Sequence, residues 1–261
     1  MAIEETDVTD GTAGKASVSV NGVSKQFAGE KTVVQALEDV SFQVNPGEFV
    51  CVVGPSGSGK TTLFRIIGGL EAATEGTVYL NGDPVEKPSP DMGIVFQEYH
   101  LFPWRTVRDN VAFGLEKQGV PGEERERRVG QLLELVGLDG FGGAYPKELS
   151  GGMKQRVGIA RALAVDPDLL LMDEPFGAVD AQTRAVLQDE LLELWRHTEK
   201  TVLFITHDVE EAVKLADRVV VMASEPGSVR DIVDIDLPRP RSRSNPGFGE
   251  YYERVLDLIR D

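Results

Sequence analysis

Apolar and polar positions along the chain fall into two periods. Residues 18–27 and 36–44 alternate in the two-residue rhythm of half-buried strands, the second run stopping at Asn45-Pro46-Gly47. Residues 76–80 form a further strand pattern running into Asn81-Gly82, a tight-turn pair. Largely apolar runs at 49–53, 94–96, 169–173, 201–206 and 218–222 suit strands buried on both faces. Between them the period lengthens. Leu63, Ile66, Ile67 and Leu70 share one helical face, and the stretches NVAFGLEKQG and ERERRVGQLLELVGL read as amphipathic helices separated by Gly and Pro. Strands alternating with helices predict an α/β protein with a parallel sheet. The tail 238–247 (PRPRSRSNPG) reads as a loop before a short last helix.

One stretch organises the rest. Residues 49–62 read FVCVVGPSGSGKTT: a buried strand, a glycine-serine loop, then a helix. Gly54, Gly59, Lys60 and Thr61 fit the G-x-x-x-x-G-K-[ST] pattern of a phosphate loop, in the strand–loop–helix setting that pattern requires. Glycines allow successive backbone N–H groups to converge on one anion, and the helix start adds the positive end of its dipole. Gly54, Pro55, Ser56, Gly57, Ser58, Gly59, Lys60, Thr61 and Thr62 are the expected nucleotide cradle. Lys60 would reach the β- and γ-phosphates, and the Thr61 hydroxyl would ligate Mg²⁺. A plain glycine turn before a core helix would explain the loop but not the Lys-Thr pair.

Two further segments carry chemistry. LLLMDEP (169–175) ends an apolar strand in two carboxylates, at the sheet edge where doubly wound folds bind ligands. Asp173 there could hold Mg²⁺, and Glu174 could orient or deprotonate a water. In isolation the pair could equally be a helix cap or solvated turn. LSGGMKQRVGIARALA (149–164) opens a helix at Ser150, Gly151 and Gly152, a second anion-binding helix start. On its own terms Ser150 is an N-cap. Two such starts are too many for one nucleotide, unless the second serves a nucleotide held by another subunit.

Composition narrows the classes. The net charge of −16, from 43 acidic and 27 basic residues, disfavours nucleic-acid binding and is compatible with a high-salt cytoplasm. The single cysteine, Cys51, excludes an internal disulfide and suits a reducing compartment. No apolar run approaches the roughly 18 residues of a membrane span. Residues 1–17 are acidic and polar, unlike a signal peptide, and read as a disordered lead-in to a soluble, cytosolic protein.

Taken in order, GPSGSGKTT, Gln97, LSGGM, LLLMDEP, GAVD and ITHD make the chain resemble the ATP-binding subunit of an ABC transporter from residue 18 to about 237. LSGG is the most specific of these motifs. The resemblance implies a RecA-like P-loop NTPase core with an antiparallel β sub-domain and an α-helical sub-domain inserted at about 98–160. It implies ATP and Mg²⁺ as ligands, and a head-to-tail homodimer in which each ATP lies between one subunit's phosphate loop and the other's LSGG. Transmembrane permease subunits, a substrate-binding protein reached indirectly, and a peripheral position on the cytoplasmic membrane face follow from the same likeness.

By that resemblance Gln97 senses Mg²⁺ and the γ-phosphate, His207 contacts the γ-phosphate, and Asp180 makes contacts across the dimer. The residues alone leave other readings open: Gln97 as a strand end, Asp180 as a helix cap, and His207 as a loop histidine before a capping box formed by Asp208 and Glu211. His100 and His197 read as satisfied loop histidines. Phe27 stands where the family usually has an adenine-stacking Tyr, and an aromatic face still stacks. Met153 replaces the usual Gln after LSGG, and Val179 the usual Leu before Asp180; neither removes a catalytic group.

VFQEYHLFPWRTVRDNVAFGL and ITHDVEEAVKLADRVVVM resemble importers of the nitrate, sulfonate, taurine and bicarbonate group. Residues 101–104 (LFPW) then form a permease contact or a buried corner of the helical sub-domain. Other classes fit less well. A guanine-reading N-K-x-D segment is missing, no phosphoryl-acceptor lid is visible, and a soluble repair or translation ATPase resembles a tandem cassette or carries a long coiled-coil insertion. A non-catalytic scaffold would not need Lys60, Asp173, Glu174 and His207 together.

Overall fold

The computed structural model describes residues 16–29 and 32–260. Most of the lead-in lies outside them. Ala16 and Ser17 are anchored, however: Ala16 is buried, its carbonyl accepts from Thr201 Oγ1 at 2.6 Å, and Ser17 N–H donates to Asn81 Oδ1 at 2.9 Å.

Among the described residues, ten strands form two sheets. A four-stranded antiparallel sheet has the order β2 (Val33–Val44), β1 (Val18–Ala28), β4 (Glu75–Leu80), β5 (Asp83–Pro84). The central sheet has the order β10 (Ser228–Asp234), β9 (Arg218–Ala223), β3 (Phe49–Val53), β8 (Thr201–Ile205), β7 (Leu169–Asp173), β6 (Met92–Val95). Its strands run parallel except for β10, which pairs antiparallel with β9. The sequence reading missed β10, whose SVRDIVD pattern mixes charges into the apolar positions of an edge strand.

Strand alternation divides the core in two. Phe49, Cys51 and Val53 point to one face of β3, where helices cover them. Val50 and Val52 point to the other, against Leu63, Phe64 and Ile67 of α1 (Lys60–Ile67) and the inner face of the antiparallel sheet. Leu70, expected on the α1 face, lies beyond the helix end at Gly68 and is exposed.

Helices α2 (Val107–Lys117), α3 (Gly122–Leu135) and α4 (Gly151–Ala164) fill the interval between β6 and β7. This is the helical insertion, reaching four residues past the expected 160. Thr106 and Asp109 start α2 with a reciprocal capping box. After β7, α5 (Ala181–Thr198) and α6 (Val209–Leu215) flank β8, and α7 (Phe248–Arg260) closes the chain as a full 13-residue helix. The basic loop before α7 is no loose tail. Arg241 is 3% exposed and donates to the carbonyls of Leu237, Val213, Ala216 and Ile235. Arg239 pairs with Asp217 at 2.6 Å and stacks on Trp195.

Candidate functional site

The phosphate loop crosses the carboxyl end of β3 into α1, as the sequence predicted. Lys60 is buried, its ammonium donating to Gly54 O at 2.9 Å and Pro55 O at 3.0 Å. Those bonds let the loop's own carbonyls hold the cation beside the space the loop encloses. Burial lowers the Lys60 pKa, while Glu174 and Asp173 pull it back up. Gly59, the residue before α1, has φ +79°, and a Cβ there would come within 2.5 Å of Leu37 Cδ2. Both conformation and space therefore require glycine at that point.

An open cleft of about 480 Å³ is lined by Ser56, Gly57, Gly59, Lys60, Thr61, Thr62 and Glu174, with Gln35, Ala36 and Glu225 among the residues closing its other side. Sequence reasoning missed those last three because they come from remote segments. Gly227 ties the Glu225 segment to β2, its N–H donating to Ala36 O at 3.2 Å and its carbonyl accepting from Glu38 N at 2.8 Å, and it lies against the loop, where a Cβ would meet Ser58 O at 2.3 Å.

Two strand ends supply the carboxylates and imidazole. Asp173, last residue of β7, is buried and its carboxyl is pushed up to about 6, first by burial and then by Glu174, against the pull of Lys60 and Arg65. Glu174 adopts φ +43°, unusual for a non-glycine, and donates its N–H to Ile205 O at 2.8 Å. His207, past the end of β8, lies with Nδ1 3.0 Å from Glu174 Oε2. This contact joins His207 to a residue that lines the Lys60 cleft. His100 and His197, by contrast, bond only local carbonyls, of Glu98 and Glu193.

The capping box expected at His207 is only half formed. Asp208 Oδ1 does cap α6, accepting from Glu210 N at 2.9 Å and Glu211 N at 3.4 Å. Glu211 does not reach back; its carboxylate turns inward to Thr206 Oγ1 and Gln188 Nε2.

Other expected residues lie apart from this cleft. Gln97 is exposed and lines a neighbouring cleft with Tyr99, Leu101, Lys154 and Ala178, near Gly177. Phe27 is 42% exposed and not part of the cleft wall; its cross-strand partner Val34 is, and the Lys25 ammonium sits 5.0 Å over the Phe27 ring. Ser150 caps α4, its Oγ accepting from Met153 N at 3.3 Å. A Cβ on Gly152 would meet Thr183 Cγ2 at 2.7 Å, so close packing of α4 on α5 demands glycine. Asp180 caps α5 through Gln182 and Thr183 N–H, both at 3.1 Å, and the Thr183 side chain, together with those backbone bonds, holds its carboxyl low. None of Ser150, Gly151, Gly152 or Asp180 lines the Lys60 cleft.

The LFPW segment is partly buried at one end only: Leu101 packs against the core, while Pro103 and Trp104 are exposed. Trp104 is 73% exposed, and Phe102 packs beside it against Phe113. Buried Asn110 fixes the turn, accepting from Phe102 N and donating to the carbonyls of Phe102, Arg105 and Thr106.

A sequence profile described as ABC transporter matches residues 37–177. The chain belongs to the ABC transporter family. An uncharacterized ABC transporter ATP-binding protein of Methanocaldococcus jannaschii is 52% identical over 247 residues, covering 95% of this cassette and 92% of that protein. The aliphatic sulfonates import ATP-binding protein of Bacillus cereus is 47% identical over 240 residues, 92% and 94% of the two chains. The nitrate import ATP-binding protein of a Synechocystis is 46% identical over 252 residues, 93% and 95%. Among solved structures, a dimeric ATP-binding cassette in a post-hydrolysis state, bound to ADP and Pi, superimposes with a TM-score of 0.75 at 34% identity over 85% of this chain and all of that one. The cassette is an ATPase whose hydrolysis is coupled to transport. Among the described residues, no helix is long and apolar enough to cross a membrane.

Proposed function

We propose that this cassette powers an importer of a small anion of the nitrate, sulfonate, taurine or bicarbonate kind, hydrolysing ATP between two head-to-tail copies beneath a separate permease. The observation that carries the catalytic part is the Glu174–His207 pair, 3.0 Å apart at the rim of the cleft that Lys60 lines. Lys60 and the loop N–H groups bind and orient the β- and γ-phosphates. Glu174 accepts the proton of the attacking water, and His207 holds Glu174 by one oxygen while offering its exposed edge to the γ-phosphate.

The oxygen donors Thr61 and Asp173 suit a hard cation, and among the described residues no cluster of three or more His, Cys, Asp or Glu side chains competes with them. Those two, with Gln97 from the adjoining cleft, would hold Mg²⁺. Held there, Mg²⁺ would supply positive charge that neutralises the phosphates.

The dimer accounts for Ser150, Gly151, Gly152 and Asp180. They form a capped, anion-receptive helix start and a loop outside their own chain's nucleotide cleft, suited to the partner's. The likeness to a dimeric cassette supports the same arrangement. Trp104 and Phe102, on their fixed turn beside the Gln97 cleft, form the permease contact. The anion class rests on the sulfonate and nitrate import relatives.

Co-purification tests the transport reading: the chain should bring down a multi-spanning membrane protein and return to the soluble fraction when Trp104 is changed to Ala. A wild-type chain that hydrolyses ATP but never associates with membranes would favour a soluble ATPase instead.

A further inference from the structure

Behind His207 lies a buried polar cluster that the nucleotide cleft does not include. Thr206, Glu211 and Gln188 are 1%, 4% and 7% exposed. Thr206 Oγ1 donates to Glu211 Oε2 at 2.5 Å, Gln188 Nε2 donates to Glu211 Oε1 at 3.0 Å, and Asp208 N–H donates to the Thr206 hydroxyl at 3.0 Å. One hydroxyl thus ties the residues on both sides of His207 to a single carboxylate. One turn earlier on α5, Arg184 reaches Asp208 Oδ2 at 3.6 Å and donates to Val179 O at 3.3 Å.

A buried carboxylate is costly, and an apolar side chain at 211 would fill the same space without that cost. Burial pushes the Glu211 carboxyl up, while Thr206 and Gln188 draw it down. The cluster makes sense in terms of what it holds. The His207 side chain is 62% exposed, so packing does little to fix the ring. Its direction depends on the backbone at 206–208 and on Glu174.

We propose that Thr206, Glu211 and Gln188 are positioning residues for hydrolysis: their buried bonds fix the backbone of His207 so that its ring stays on Glu174. This rests on the roles given to Glu174 and His207 above. Because Gln188 lies on the helix that Asp180 caps, the same bonds give α5 a mechanical grip on the histidine loop.

Steady-state ATPase kinetics of the full chain test it through a double-mutant cycle. Thr206→Val keeps the side-chain shape and removes the hydroxyl. It should lower kcat by about tenfold while leaving the KM for ATP within about twofold. Glu211→Gln, which keeps an acceptor oxygen for the Thr206 hydroxyl, should retain most of the rate, whereas Glu211→Leu should match Thr206→Val. In a His207→Ala background, Thr206→Val should change kcat by less than about twofold, since it acts through a ring already gone. Equal losses in both backgrounds would reduce the cluster to a structural role and overturn the inference. So would a wild-type rate for Thr206→Val beside a slow His207→Ala. A wild-type rate for His207→Ala would instead remove the histidine reading itself, and this inference with it. If Thr206→Val does not fold, Gln188→Leu carries the same cycle.

Discussion

Glu174 and His207 leave the ends of two adjacent parallel strands, β7 and β8, and meet with Oε2 and Nδ1 3.0 Å apart. Glu174 does so from a left-handed backbone conformation, φ +43°, which ordinary side chains avoid. Directly before it, Asp173 is still in the strand ladder, opposite Ile205. Both carboxylates act on the Lys60 ammonium, and Glu174 carries the His207 contact.

Lys60→Ala should abolish nucleotide binding or hydrolysis. It deletes the cation aimed at the β- and γ-phosphates, a contact on which phosphoryl transfer depends. Equilibrium binding of a fluorescent ATP analogue checks this, and wild-type affinity together with wild-type turnover would rule out the phosphate-loop assignment.

Asp173 should weaken the nucleotide-free protein. Its folded-state carboxyl keeps a proton up to about pH 6, against an ordinary value of 3.8. Between those values the folded state binds more protons than the unfolded one, so this group's contribution to stability falls as pH rises through that window and stays low above it. Asp173→Asn should therefore be more stable than wild type at pH 7.5, on the order of 1 kcal/mol, with the gap closing towards pH 4. Urea unfolding at both pH values reads this directly, and ATPase activity should be lost.

Trp104→Ala should leave the isolated chain nearly unchanged. An exposed side chain outside the core is worth within roughly 0.5 kcal/mol on truncation, where a buried Trp costs about 3–5 kcal/mol. Melting temperature and basal ATPase should hold while membrane association fails. A large drop in melting temperature with permease binding intact would remove Trp104 from the interface.

Arg241→Ala should behave in the opposite way. Four backbone carbonyls, from the ends of α6 and β10 and the loop after them, lose their donor at a buried site. A loss of about 2–4 kcal/mol is expected, measured by urea unfolding, with the remaining folded protein still active.

Much of this was legible in the residues. β3 and β7 are apolar up to a glycine or a carboxylate, and β8 is apolar between Thr201 and Thr206, so all three appear at nearly their observed limits. Local motifs with a backbone mechanism, such as 54–62 and the Ser150 cap, also read directly. What failed was long-range. Nothing near Arg241 reveals that carbonyls from residues 213, 216, 235 and 237 will converge on it. Glu211 stands at capping-box spacing from Asp208, and its turn inward depends on Thr206 and on the tertiary position of Gln188. Phe27 reads as a stacking aromatic, yet its place outside the cleft wall depends on how β1 and β2 approach the loop.

In the proposed mechanism two copies enclose ATP and Glu174 drives its hydrolysis. Light scattering of the Glu174→Gln variant, with and without ATP, tests both halves together. The account predicts retained ATP binding, turnover slowed on the order of 10²-fold or more, and a monomer that becomes a dimer only when ATP is present. An ATP-saturated Glu174→Gln chain that stays monomeric, or one that hydrolyses ATP at the wild-type rate, would contradict it.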